Sequence, residues 1–333
     1  MPETLYRNRR AITIENPRIR VTVLAEGGHI AEIAHKSTGI NPLWTPPWPS
    51  IEPSTYTLAT NPEYGADSES KLLSGIMGHN LALDLFGGPS TEEAAAGITV
   101  HGEASVLPWS IRADAHQLTA TVEMPAAQLR CERRIALGTN RILISETVEN
   151  LCALDRPVAW TQHVTLGPPF LERGVTQFRA PGTRSRTIDG HDFDWPRDLQ
   201  VYTNAESSSG FSTHLMDPHR DRAFFFAWSP KSHIVFGYVW TRSDFPWLGV
   251  WDENHSRKQP PWNGVTMTRG MEFGASPFPE PRRKMIERNG LFGVPGYRWI
   301  PARTKVRVEY YAFIATAESI PETLEELEIH VPA

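Results

Sequence analysis

RILISETVENLCALDRPVAWTQHVTLGPPF, residues 141–170, is the stretch from which the fold can be read. Across residues 141–151, Ile142, Ile144 and Val148 share one parity, and Arg141, Ser145, Thr147 and Glu149 share the other. That is the period of a strand with one buried face. Residues 157–166 alternate in the same manner, and Gly167-Pro168-Pro169 stops the run. Working outward, the same pattern recurs in AITIEN, RIRVTVLAE and HIAEIAHK, with Asn16-Pro17 and Gly27-Gly28 as turns between them. It returns at residues 118–124, 129–137, 222–229, 233–240 and 304–316. Many strands in succession, with turn signals between them and little 3.6-residue periodicity, predict an all-β chain built as a large antiparallel sandwich.

Helices are expected in two places. Residues 91–96 (TEEAAA) follow Pro89-Ser90 and suit about one turn. Residues 319–328 (SIPETLEELE) place Glu322 three residues after Ser319, the spacing of a capping box, on a segment expected to clasp the sheet rim. Long irregular segments at 41–104, 167–221 and 242–303 are rich in Trp, His, Pro and Gly. Segments of that length in a compact fold carry function, and hairpins between them would bring them to one face. Nothing marks a linker or repeat, so residues 1–333 are expected to form one domain.

The bulk properties narrow the function classes. The chain has 333 residues, 40% hydrophobic and 21% charged, with a formal net charge of -5 and a pI near 6.2. This balance argues against nucleic acid or anionic lipid as a partner. No apolar run reaches the roughly 18 residues of a membrane helix, and no secretory h-region follows the N-terminal arginines, so a cytoplasmic protein is expected. The basic clusters at 179–186 (RAPGTRSR) and 282–284 (RRK) read as solvated loops or as contacts to a phosphate or sulfate. Two cysteines, Cys131 and Cys152, make no disulfide framework and are expected as buried free thiols.

Three short segments carry acid/base chemistry. His101 lies in GITVHGEA (97–104), His163 in WTQHVTLGPPF (160–170) and Glu272 in TRGMEFGASPFPE (268–280). Two imidazoles and a carboxylate can move a proton from one oxygen to another near neutral pH. Each has a structural reading beside the catalytic one. His101 also fits a turn bonded to a carbonyl, His163 a satisfied core histidine, and Glu272 an edge glutamate paired with Arg269. In the catalytic reading Gly102 lets a ligand approach the backbone beside His101 and Glu103. Upstream, GIMGHNLALDLFGGPS (75–90) crowds His79, Asn80 and Asp84 among glycines, a polar density that is costly to bury without a ligand. Trp195, Trp247, Trp251 and Trp262 sit in loops beside carboxylates and amides. Such rings stack on the C–H face of a sugar, or plug the end of a sandwich. Trp160, Trp228 and Trp240 alternate within strands and read as core. No metal-ligand spacing, P-loop, dinucleotide fingerprint or GxSxG elbow is present, and neither metal nor cofactor is expected.

An all-β chain of this length with His-Gly, a second His closing a later strand and Glu in an R-G-x-E-F segment resembles the aldose 1-epimerase, or galactose mutarotase-like, superfamily. GHNLALDLFGGPS…HGEAS is closer to its uncharacterised branch. The resemblance implies a β-supersandwich with a small-molecule sugar, or a sugar derivative, bound in a groove across one sheet, in a monomer or homodimer. It implies that His101 holds and polarises the sugar, that His163 protonates the ring oxygen, and that Glu272 takes the proton of the C1 hydroxyl. His79 and Asn80 occupy the place of an Arg-Asn pair, with the arginine missing. The family's aspartate has no single counterpart, and Asp192, Asp194 and Asp252 are candidates. Asp84, Glu103, Trp195, Trp247, Trp251, Asp252 and Arg269 complete the expected sugar-binding set. A sugar-binding protein without catalysis and a lyase or glycosidase on a related sandwich are the competing classes.

Overall fold

The computed structural model describes residues 3–195 and 207–331. Its strands form two large sheets. The first holds twelve strands, and its centre runs Ile30–His35, His79–Asp84, Arg156–Leu166, Met267–Gly274, Trp247–Asn254, Ser208–Met216. The second holds eight, with Arg222–Ser229, Ile234–Thr241, Lys305–Thr316, Arg141–Asn150, Leu129–Leu137 and Gln117–Met124 as consecutive neighbours. Every paired ladder between these strands is antiparallel.

Alternation decides which face is inside. Leu118, Ala120, Val122 and Met124 share one parity of their strand and are buried, as are Leu129, Cys131 and Ile135 on the next. They meet Ile33, Leu81, Trp160 and Phe273 of the larger sheet in one inter-sheet core. A polar network centred on Glu146 penetrates that core. Glu146 accepts hydrogen bonds from Arg133 Nε (2.7 Å), Trp160 Nε1 (2.8 Å), Gln162 Nε2 (2.7 Å) and Tyr310 Oη (2.9 Å). Burial works against charge on Arg133, yet Glu146 outweighs it and the guanidinium pKa stands above its ordinary value. A carboxylate with this many aligned donors is the condition under which a buried ion pair is tolerated.

The strands at the centre of the larger sheet are buried on both faces, with no exposed residue along His79–Asp84, Arg156–Leu166 or Met267–Gly274. Their outer face is roofed by the segments predicted as long loops. Trp44, Leu72, Leu73, Ile76, Val100 and Trp262 form a second apolar cluster there. Those segments hold strands of their own: His79–Asp84 and Trp247–Asn254, which have no exposed residue and so lack the alternation of a half-buried strand, and Ser208–Met216, whose first half is partly exposed.

Two corrections concern the ends of the chain and its caps. The expected turn after Pro89-Ser90 is the helix Thr91–Ala95, which Ser90 caps in a full capping box with Glu93. The C-terminal helix, however, runs Leu324–His330 and is capped by Thr323, whose hydroxyl accepts from Glu326 N at 3.2 Å, and not by Ser319. It lies over the outer face of the smaller sheet and not its rim, because Leu327 and Val331 pack with Phe224, Phe226 and Val235. Both cysteines are free thiols, Cys131 in the core and Cys152 only half-buried.

Candidate active site

The register of four strands builds the site. Asn80 is paired with His163, His163 with Glu272, and Glu272 with Gly249, so these residues form one row across the larger sheet. Side chains in a row project from the same face. Here that is the roofed outer face, since neighbouring Gln162 and Phe273 point into the inter-sheet core. His101 reaches the row from a turn and not from a strand end. Its carbonyl accepts from Leu83 N at 3.2 Å and its own N–H meets Gly87 O at 3.3 Å. His101 and Gly102 both have positive φ, and a Cβ on Gly102 would stand 2.0 Å from Leu83 O. The glycine therefore serves the close approach of a strand backbone, where the sequence reading had it admit a ligand.

The side chains interlock. His163 Nε2 lies 3.0 Å from Glu272 Oε1, a contact that is not aligned as a hydrogen bond. The other ring nitrogen of His163, Nδ1, is 3.0 Å from Thr165 Oγ1 and 3.4 Å from Asn80 Nδ2. A hydroxyl either donates or accepts, so Thr165 holds the ring in either protonation state. Asn80 Oδ1 accepts from Ser105 Oγ at 3.3 Å and lies 3.2 Å from His101 Nδ1. This assigns the His101 proton to Nδ1 and leaves its Nε2 an acceptor. Burial, with the nearby His163 adding to it, holds the His101 pKa well below the usual histidine range, so the ring is neutral. The two imidazoles are 4.4 Å apart, centroid to centroid.

Glycines clear the space beside the carboxylate. A Cβ at Gly270 would stand 2.2 Å from Glu272 Oε1, and one at Gly249 would meet the Phe211 ring at 2.7 Å. Glu272 is only 3% exposed and Arg269, its expected partner, turns to the other face. Above the row opens a cavity of about 390 Å³ lined by His101, His163 and Glu272 together with Trp251, Trp262 and Phe211, a size that suits a small molecule. All three long segments contribute, through Glu69 and Leu72, through Ile188 and Ser209, and through Trp251 and Arg257. A larger groove of about 740 Å³ crosses the smaller sheet near Arg134 and Tyr311, but no histidine lines it.

Several expected sugar contacts lie elsewhere. His79 points into the inter-sheet core, 2.9 Å from both Tyr238 Oη and Gln162 Oε1, because it adjoins Asn80 on a strand and must face the opposite way. Asp84 is buried in ion pairs with Arg156, at 3.0 Å, and Arg282. Glu103 accepts from the backbone N–H groups of Ala126 (3.3 Å) and Ala127 (2.7 Å). Asp252 and Arg269 form a two-point ion pair at 2.6 and 2.7 Å on the core-side parity of their strands. Trp247 is fully buried and donates to Pro295 O at 3.0 Å, while Trp195 packs edge-on to His214 at 4.2 Å. Of that set Trp251 lines the cavity, and Asn80 stands just behind it. Among the described residues no aspartate lines the cavity, and Asp192 pairs with Arg186. The sequence reading passed over Thr165, Ser105, Glu69 and Arg257, none of which has a motif of its own.

No family model and no curated protein matches the chain. Solved structures do. A galactose mutarotase-like protein from Lactobacillus casei is 13% identical with a TM-score of 0.61, over 91% of this chain and 99% of that one. A galactose mutarotase-like protein from Clostridium acetobutylicum is 12% identical with a TM-score of 0.62, over 95% and 98%. A galactose mutarotase related enzyme from Lactobacillus acidophilus is 10% identical with a TM-score of 0.63, over 93% and 99%.

The fold is the galactose mutarotase-like sandwich. The resemblance read from the HGEAS and RGMEF segments implied this architecture. In this mutarotase-like sandwich the paired strands of the larger sheet supply Asn80, His163 and Glu272, and the roofing turns supply His101. Among the described residues no helix is long and apolar enough to cross a membrane, and no group of three or more His, Cys, Asp or Glu is placed to hold a metal ion.

Proposed function

We propose that this protein is an aldose 1-epimerase, interconverting the anomers of an aldose by opening and reclosing its ring. The observation that carries the reading is the 3.0 Å separation of His163 Nε2 and Glu272 Oε1 beneath a cavity of small-molecule size. The two oxygens that exchange protons in this reaction, the C1 hydroxyl and the ring oxygen, are bonded to the same carbon. An acid and a base that serve them must therefore be neighbours.

Glu272, ionised, takes the proton of the C1 hydroxyl. The C1–ring oxygen bond breaks, and its electron pair accepts the Nε2 proton of protonated His163, giving the open aldehyde. Thr165 keeps hold of Nδ1 while Nε2 loses and regains its proton. Rotation about C1–C2 and the reverse transfers close the ring on the other face. Neutral His101 offers Nε2 as an acceptor to a sugar hydroxyl, and the Trp251 face supports the ring. Acid and base each typically contribute about 10²–10⁴-fold. The names of the structural neighbours support the reading at the level of the fold.

The test is anomer exchange by NMR saturation transfer over a panel of aldoses, free and 6-phosphorylated. Glu272→Gln keeps the shape of the side chain and removes the base, so catalysed exchange should fall at least about 10²-fold with sugar binding retained. Wild-type exchange that persists in the variant excludes Glu272 from the chemistry. Binding without exchange in the wild type makes the protein a sugar-binding relative, an outcome that the absence of an arginine beside Asn80 favours.

A further inference from the structure

The cavity is unlike a surface built for a fully hydroxylated sugar. Among the described residues, apart from His101, His163 and Glu272, three lining residues carry charged or hydroxyl side chains: Glu69, Ser209 and Arg257. Two of these pair with each other, Arg257 Nη1 donating to Glu69 Oε2 at 3.0 Å. The same guanidinium lies over the Trp262 and Trp251 rings, at 4.7 and 5.5 Å. Against them stand the aliphatic Leu72, Leu73, Ile76, Val100 and Ile188 and the ring of Phe211. Ile188 is 51% exposed, at the hairpin between Gly182–Thr187 and Asp192–Asp194, and its N–H is fixed to Phe211 O at 2.9 Å. An apolar side chain held at the cavity wall and not covered by the protein is positioned for an apolar part of a ligand. A hydroxyl pressed against these side chains would lose its water without gaining a partner.

We propose that the substrate is an aldose with a free anomeric hydroxyl and an apolar group elsewhere on the ring, either a deoxygenated carbon or an acyl or aryl substituent. This rests on the epimerase reading for its chemistry and goes beyond it in naming the substrate class. The aliphatic wall accepts the apolar group while Glu272 and His163 act at C1, and neither end of the molecule competes for the other's surface.

The experiment compares matched sugars in the same exchange assay: D-galactose, its 6-deoxy form D-fucose, and 6-O-benzoyl-D-galactose. The deoxy and benzoyl arms tell the two sources of apolar character apart. One or both should exceed D-galactose in kcat/KM by roughly 10–200-fold, the range a methyl-sized group commands in an apolar pocket. In Ile188→Ser, a half-exposed position where folding is not at stake, that ratio should shrink. Kd values for the three sugars are measured in parallel by titration. Ratios near one in both kcat/KM and Kd overturn the substrate class while leaving the epimerase reading intact. Tighter binding of the apolar sugars with no exchange in any of them overturns the epimerase reading and upholds the preference.

Discussion

Gly270 and Glu272 stand two residues apart on one strand, on the same face, so the absence of a side chain at 270 is what lets the carboxylate lie where it does. Gly270→Ala would place a methyl group 2.2 Å from Glu272 Oε1. The clash is with the far end of a side chain and not with backbone, so the carboxylate swings away and the fold survives. Displacing a reacting group by about 1 Å can cost 10²-fold, and that is the loss expected in kcat. Thermal unfolding should move little, and a variant with unchanged kcat would show that the carboxylate position is not critical. Strand parity also marks what could be read from sequence. His101, His163 and Glu272 were legible because each is an acid/base residue beside a turn or a glycine. His79 was not, because an HN dipeptide on a strand cannot aim both side chains at one cavity, and sequence alone did not reveal which one turns inward. Asp252 and Arg269 sit beside Trp251 and Gly270, and parity sends them away from the cavity for the same reason.

Paired strands hold the row of Asn80, His163 and Glu272 from beneath. Gln162 and His79, the chain neighbours of His163 and Asn80, belong to the polar network that Glu146 closes with Arg133 and Tyr310. Glu146→Ala leaves Arg133 buried beside a lost partner, a situation that costs about 3–5 kcal/mol. Urea unfolding should report a loss of that size, and a loss under about 1 kcal/mol would show that water or a rearranged neighbour replaces the carboxylate. Strands with one solvated face were legible to within a residue or two, as at Gln117–Met124 and Leu129–Leu137. Strands covered on both faces divided: Arg156–Leu166 and Arg222–Ser229 were legible as short apolar runs bounded by turn signals, whereas His79–Asp84 and Trp247–Asn254, set among glycines and prolines, were not. The cap at Thr323 was displaced for a different reason: Ser319 and Thr323 offer the same hydroxyl chemistry, and burial of Leu327 and Val331 on the sheet selects the later start.

Acid should loosen the whole protein before it protonates ordinary carboxylates. Burial holds His29 down to about 3, with Arg9 adding to the effect, and burial likewise keeps His79, His101 and His214 well below 6.5. The folded chain keeps these rings neutral whereas the unfolded chain protonates them near 6.5, so the unfolded state binds more protons below that pH. Stability is therefore fully present above about pH 6.5 and falls as the pH drops, by about 1.4 kcal/mol per pH unit for each ring still neutral. Glu103, raised by burial, opposes this slightly. Carboxylates with lowered pKa, such as Asp114 and Asp192, add their own loss only at lower pH. Urea midpoints at pH 7.5 and 5.0 should differ, with the lower midpoint at 5.0, and equal midpoints would mean that the rings are protonated in the folded state. The pairing of His163 with Glu272 has one more consequence. Sliding that ladder by a single residue would present Met271 or Phe273 where the carboxylate belongs and turn Glu272 toward the core. A preparation rich in β-structure can thus be chemically blank, and spectroscopic foldedness and competence are separate properties of this chain.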